Sequence, residues 1–136
     1  MRRLVGALLL TSCLSFAAHA DEAARARQNF QLNCMGCHGE DGRGLEGHVP
    51  SLHGTLSRIA SVPQGRDYVL RVPGVTLSLL SPEETAAVLN WAILQFSDAK
   101  SVKLVKPFTA DEVARAREKS LLEISAPRAE ALRASR

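Results

Sequence analysis

The chain predicts an all-α protein, and three observations carry that reading. Residues 81–96, "SPEETAAVLNWAILQF", open with a complete helix-start signature and continue with apolar residues at helical spacing. A second start signature stands at Thr109, ahead of Ala110, Asp111 and Glu112. No stretch alternates apolar and polar residues well enough for a sheet, and no segment repeats.

The first twenty residues read as a leader, not as fold. A positively charged "MRR" precedes an apolar "LVGALLL", and "AHA" stands before Asp21. That order describes a signal peptide, residues 1–20, cleaved after Ala20 and sending the chain to the periplasm. The rival is "LTSC", which resembles a lipoprotein box and places a lipid, and so a membrane anchor, on Cys13. The apolar character continues past Cys13, which favours Ala20. The run falls short of the roughly 20 residues that a spanning helix needs. The chain has 17 basic and 14 acidic residues, a formal charge of +3. Arg2 and Arg3 belong to the leader, so the remainder is close to neutral and offers no basis for a nucleic-acid partner. Aromatic residues make up only 4% of the chain. The core is therefore small, and a buried cofactor is a staple that such a domain benefits from.

Residues 22–32, "EAARARQNFQL", hold no Gly or Pro and predict a helix with Phe30 and Leu32 buried. It runs into "NCMGCH", residues 33–38. Cys-x-x-Cys-His in an exported chain reads as a c-type haem attachment site. Two thiols three residues apart on one helical turn reach the two vinyl groups of one porphyrin. His38 then lies under the ring, where an imidazole nitrogen binds the iron. The alternatives are a small strained disulfide between Cys34 and Cys37, a thioredoxin-like redox pair, and a zinc site that adds His48 or His53. The redox pair lacks the flanking strands it requires, and the zinc site lacks a fourth ligand.

Residues 39–54 hold five of the nine glycines and predict a loop. Within residues 55–71, "RDYVLR" predicts a short helix, with Pro63 and Gly65 punctuating its start. In the next helix Ser81 caps, Pro82 takes the first position and Glu84 completes the capping box. Ala87, Val88, Trp91, Ile93 and Leu94 supply its apolar face. The tail, residues 98–136, alternates charges. It reads as a solvated helix with a frayed end, or as a docking arm that presents Val113, Leu121 and Leu122 to a redox partner.

"CMGCHGEDGRGLEG", then "VPSLHG", then a capped helix ending in "LNWAILQF", resemble a bacterial class I c-type cytochrome over residues 21–97. The resemblance implies a cytochrome c-like helical fold around one covalently attached haem c, with residues 98–136 as a helical tail. It implies that the N-terminal and C-terminal helices cross, with Phe30 near Trp91. It makes Pro50 the carbonyl partner of His38, which orients the imidazole and raises its basicity, and it makes His53 a structural hydrogen-bonder.

One departure from the family is plain. The family carries a methionine ligand on the loop before the last helix. Here that loop is "RVPGVTLSLL", residues 71–80, with Val72-Pro73 where the family has Met-Pro. Met35 lies between the two cysteines and does not reach the far face. Three completions remain: an open distal face lined by Val72, Val75, Leu77 or Leu79; His48 as the distal ligand; or a donor from a partner or from Lys100, Lys103 or Lys106. The leading expectation is a periplasmic electron carrier serving a redox partner protein, not an enzyme. The alternative is a haem-based gas binder. A small peroxidase ranks last, because the distal residues are apolar.

Overall fold

The computed structural model describes residues 20–136. Most of the leader, and Cys13 with it, lies outside the described residues. The described residues form helices joined by loops, with a single isolated bridge between Leu45 and Val49 as their only strand-like pairing. Among them, no helix is long and apolar enough to cross a membrane.

Helix α1 occupies residues 20–33 and buries Ala26 and Phe30, one turn apart. Leu32, expected inside, is 74% exposed. Two residues past Phe30 on a helix is most of a half-turn away from the buried face, so Phe30 and Leu32 do not share a side. The single turn α2, Met35–His38, continues α1 into the cysteine motif. A loop over residues 39–54 leads to α3, Thr55–Ala60, and α4, Pro63–Arg71. The sequence predicts one short helix where two occur, because Pro63 starts α4 and Gly65 sits inside it. Gly65 is buried with its Cα against the Ile59 backbone, so any Cβ there would meet the Ile59 carbonyl. A further turn, α5 (Pro73–Thr76), follows within the stretch expected to be a loop.

Helix α6, Pro82–Phe96, is capped as its sequence predicts. The Ser81 hydroxyl accepts from the Glu84 N–H at 3.1 Å, and the Glu84 carboxylate accepts from the Ser81 N–H at 2.8 Å. It buries Thr85, Ala86, Val88, Leu89, Ala92, Ile93 and Phe96. Leu94 is exposed, since it lies about 100° round the helix from Ile93. Phe30 meets Trp91 at 5.2 Å and Phe96 at 5.5 Å between ring centroids, which ties α1 to α6.

The tail is not a solvated appendage. Turn α7 (Ala99–Val102), helix α8 (Ala110–Arg117) and helix α9 (Ser125–Ala134) wrap back over the core. Val113 is 0% exposed, and Val105, Phe108 and Ala131 join the same core cluster as Phe30 and Phe96. Val113 is therefore closed to a docking partner. Thr109 caps α8 with a second full capping box through Glu112. The same carboxylate takes two bonds from Arg66 of α4, each 2.8 Å long. That contact, with the bonds from the Thr109 N–H and hydroxyl, holds the Glu112 carboxyl down at about 2, and Arg66 also donates to the carbonyls of Lys106 and Pro107. Asn90 adds a two-way bond to the Phe108 backbone, at 2.9 and 2.7 Å. Helix α9 docks on α3 and α4 through Arg128 to the Tyr68 hydroxyl and Arg58 to Ser135.

Candidate functional site

The cysteine motif inherits its geometry from α1. The Cys34 N–H bonds the Phe30 carbonyl at 2.8 Å, and the Cys34 carbonyl accepts from Cys37 and His38 at 3.2 and 3.0 Å. Cys34, Cys37 and His38 therefore lie on one continuous turn. Gly39, at φ 76°, ends it. Both cysteines are unpaired; Cys34 is half-buried and Cys37 exposed. Burial, and secondarily the neighbouring Cys37, push the Cys34 thiol up to about 11. His38 is half-buried. Burial lowers its pKa below the ordinary histidine value, and the Pro50 carbonyl, which raises it, offsets only part of this. The ring is neutral near pH 7 and keeps a lone pair for a metal. Its Nδ1 is buried and makes no well-formed hydrogen bond.

The loop after His38 folds back on itself to bring Pro50 to that ring. The Gly44 N–H bonds the His38 carbonyl at 2.7 Å, and the Leu52 N–H bonds the Gly42 carbonyl at 2.8 Å. Leu45 and Val49 exchange bonds of 3.0 and 2.8 Å across the tip. Gly44 has φ 72°, and a Cβ there would run into the Val49 and Pro50 carbonyls. His53 donates from Nε2 to the Asp41 carbonyl at 2.6 Å and sets its ring against Phe96 at 5.2 Å. His48 sits exposed near the loop tip, with Nδ1 3.1 Å from the Glu46 carbonyl. Among the described residues no three His, Cys, Asp or Glu side chains converge, so the donor set of a zinc site is not assembled.

Residues 71–81 offer no sulfur or nitrogen side chain of the usual iron-binding kind. Val72 and Val75 are half-buried, whereas Leu77 is 72% and Leu79 100% exposed. The backbone of this segment is nevertheless held from the tail. Arg117 Nη2 donates to the Leu80 carbonyl at 2.7 Å, the Ser78 carbonyl at 3.3 Å and the Thr85 hydroxyl at 3.1 Å. The hydroxyls of Thr76 and Ser120 lie 2.6 Å apart. Leu121 N–H bonds the Arg71 carbonyl at 3.0 Å, and Arg71 Nε bonds the Lys119 carbonyl at 2.7 Å. Sequence reasoning missed Arg117, Thr76 and Ser120. Nothing in their spacing marks them, because the contacts join positions more than thirty residues apart. Lys100, Lys103 and Lys106 are all exposed.

These features fit a porphyrin. Two free thiols stand on one turn beside a neutral imidazole that the Pro50 carbonyl approaches. Leu45, Leu77 and Leu79 are left without apolar cover. The half-buried Cys34, Met35 and Leu52 pack against the same core cluster as the half-buried Val72, Val75 and Leu80.

Residues 23–92 match the family model described as cytochrome c. The chain is similar to a cytochrome c-552 of Thermus thermophilus, 37% identical over 139 aligned positions that take in 89% of this chain and 90% of that protein. It is also similar to a second Thermus thermophilus cytochrome c-552, 39% identical over 65% of this chain and 81% of the other. The 139 aligned positions exceed the 136 residues of the whole chain, so the first relative holds residues with no counterpart here.

Proposed function

The chain belongs to the cytochrome c family, and from that premise we propose that it is a periplasmic monohaem electron carrier with Cys34 and Cys37 as the attachment residues and His38 as the proximal iron ligand. Members of this family carry covalently bound haem c. Bound here, haem supplies a one-electron iron couple.

The observation that carries the reading is the single turn from Cys34 to His38. It presents two thiols and a neutral imidazole together without any loop rearrangement. Pro50 orients the imidazole through its carbonyl, the role such a group plays beside any metal-bound histidine. The tight turn at Gly44 holds Pro50 there. Cys37 is exposed, which leaves that edge of the site open to a redox partner protein. Export by the leader, residues 1–20, accounts for the periplasmic location, with a membrane anchor only in the lipidated Cys13 alternative.

The distal position is vacant in this reading. Residues 71–81 provide no donor, and His48 is turned to Glu46 in the loop that starts from His38. Without thioether sulfur on the iron, the reduction potential falls below that of a His/Met centre. The same vacancy favours a second reading, binding of a small gas such as carbon monoxide or nitric oxide. No histidine, arginine or carboxylate of the kind that helps cleave an O–O bond stands among residues 72–80, which disfavours peroxidase chemistry.

Reductive titration of the purified haem-loaded protein tests the carrier reading. The expected result is reversible uptake of one electron per chain, with rapid exchange to a second c-type cytochrome and no turnover of a substrate. Irreversible reduction, or no exchange with any protein partner, would contradict it.

A further inference from the structure

We propose that residues 77–80 form a short apolar lid over the haem face opposite His38, and that Arg117 in the tail is the residue that positions this lid. The inference rests on the vacant-distal reading above and extends it to the control of ligand access.

Three observations on separate parts of the chain meet here. The first is a mismatch between backbone and side chains. Residues 71–81 are pinned at both ends by the tail, through Arg71–Lys119 and Leu121 at one end and Arg117 at the other, with Thr76–Ser120 between. Yet Leu77 and Leu79 on that pinned backbone are 72% and 100% exposed. A leucine held in place in water gains nothing from its position, and in this proposal the haem is the apolar body that covers this fastened pair. The second is where such a body attaches. Cys34, Met35 and Leu52 share one apolar core with Val72, Val75 and Leu80. A flat apolar group tethered at Cys34 and Cys37 adjoins that core, and in this proposal its far face is what the leucines cover. The third is the character of the latch. One nitrogen of Arg117 serves two carbonyls and a hydroxyl, while its Nε is buried with no partner. A buried unpaired N–H is unfavourable, so anchoring the lid is the evident gain that keeps this side chain inside.

Helix α8 therefore acts in place of a protein ligand. It does not bind the iron. It sets how closely Leu77 and Leu79 cover it, and so how readily a small molecule enters. Thr85, which also accepts from Arg117, fixes the latch to the first turn of α6, so the lid moves as a unit between α5 and α6.

The test is carbon monoxide association with the ferrous, haem-loaded protein after flash photolysis, together with the ferric spin-state spectrum. Arg117→Ala frees the lid and raises the association rate on the order of tenfold, by enlarging the open fraction. Arg117→Lys keeps a donor for the carbonyls and stays near the wild-type rate. Leu79→Ala removes cover while leaving the latch intact, and it raises the rate as well; its side chain is fully exposed without haem, so folding does not depend on it. Leu122→Ala, an exposed tail leucine away from the latch, leaves the rate unchanged. If Arg117→Ala is folded and both it and Leu79→Ala bind carbon monoxide at the wild-type rate, the lid is overturned while the vacant iron stands. If Arg117→Ala fails to fold, Leu79→Ala decides alone, an unchanged rate overturning the lid. If the wild-type ferrous protein binds no carbon monoxide and its ferric form is low-spin, the vacant iron fails and the lid fails with it.

Discussion

The loop after His38 and the segment before α6 are both poor in regular structure, yet they are ordered by opposite means. Residues 39–54 hold themselves in shape. Their glycines take left-handed turns, and their backbone N–H bonds close within the loop or on Met35 and His38, apart from that of Gly54 to the Phe96 carbonyl. Residues 71–81 are held by a tail some forty residues further on, through Arg117, Lys119, Ser120 and Leu121. Self-contained order suits a loop that must present Pro50 to His38. Borrowed order suits a segment that, on the proposed reading, delivers no ligand and is fastened from outside by Arg117 of α8 and by Lys119, Ser120 and Leu121 beyond it. The comparison teaches that a segment with little regular structure of its own need not be a disordered gap, provided another part of the chain fastens it.

The contrast can be broken most sharply at Gly44. Gly44→Ala places a Cβ against the Val49 carbonyl at a left-handed φ, and the expected loss is about 3 kcal/mol or more. Thermal unfolding of the haem-loaded protein measures it, and a loss under about 1 kcal/mol would mean that the loop is not self-ordered. On the other side, Val113→Ala removes two buried methyl groups from α8, with an expected loss of about 2 kcal/mol. An unchanged denaturation midpoint would return the tail to the status of a solvated arm.

Acid sharpens the same point. The Glu112 carboxyl is lowered in the folded chain from 4.5 to about 2, first by its bonds to Arg66. Its contribution is complete above pH 4.5 and is lost as the pH falls toward 2. Stability measured across that window declines in the wild type, and Glu112→Gln flattens the decline; equal slopes in both proteins would show that the α4–α8 bond does not fasten the tail. The smallest effect is expected at His48. His48→Ala leaves the visible spectrum unchanged and shifts stability by no more than about 0.5 kcal/mol, because the side chain is exposed and bonds only the Glu46 carbonyl. A spectral change there would make His48 the distal ligand and remove the vacancy.

What the sequence discloses follows the same division. Features written within a few residues were legible. The capping boxes at Ser81 and Thr109 form as their spacing predicts. The glycine-rich stretch is a loop, and Phe30 meets Trp91 as the resemblance implies. Features that depend on direction around a helix were only partly legible: Leu32 and Leu94 are apolar but point off the buried face. Features that depend on distant partners were not legible. Arg117 looks like any charge in an alternating tail, and only the fold brings it to the Leu80 carbonyl. Gly65 looks like a helix breaker, and only the approach of Ile59 explains its place inside α4. At the candidate site, adjacent residues spelled out the thiols and the imidazole, while the fastening of the distal segment came from tertiary contacts alone.

Mass spectrometry of the protein, produced alongside a haem-ligation apparatus, tests the central claim most directly. The expected chain carries the added mass of one haem that survives denaturation, and Cys34→Ser with Cys37→Ser abolishes it. A wild-type chain with the mass of bare polypeptide, or a double variant that still retains its haem through denaturation, would contradict the account.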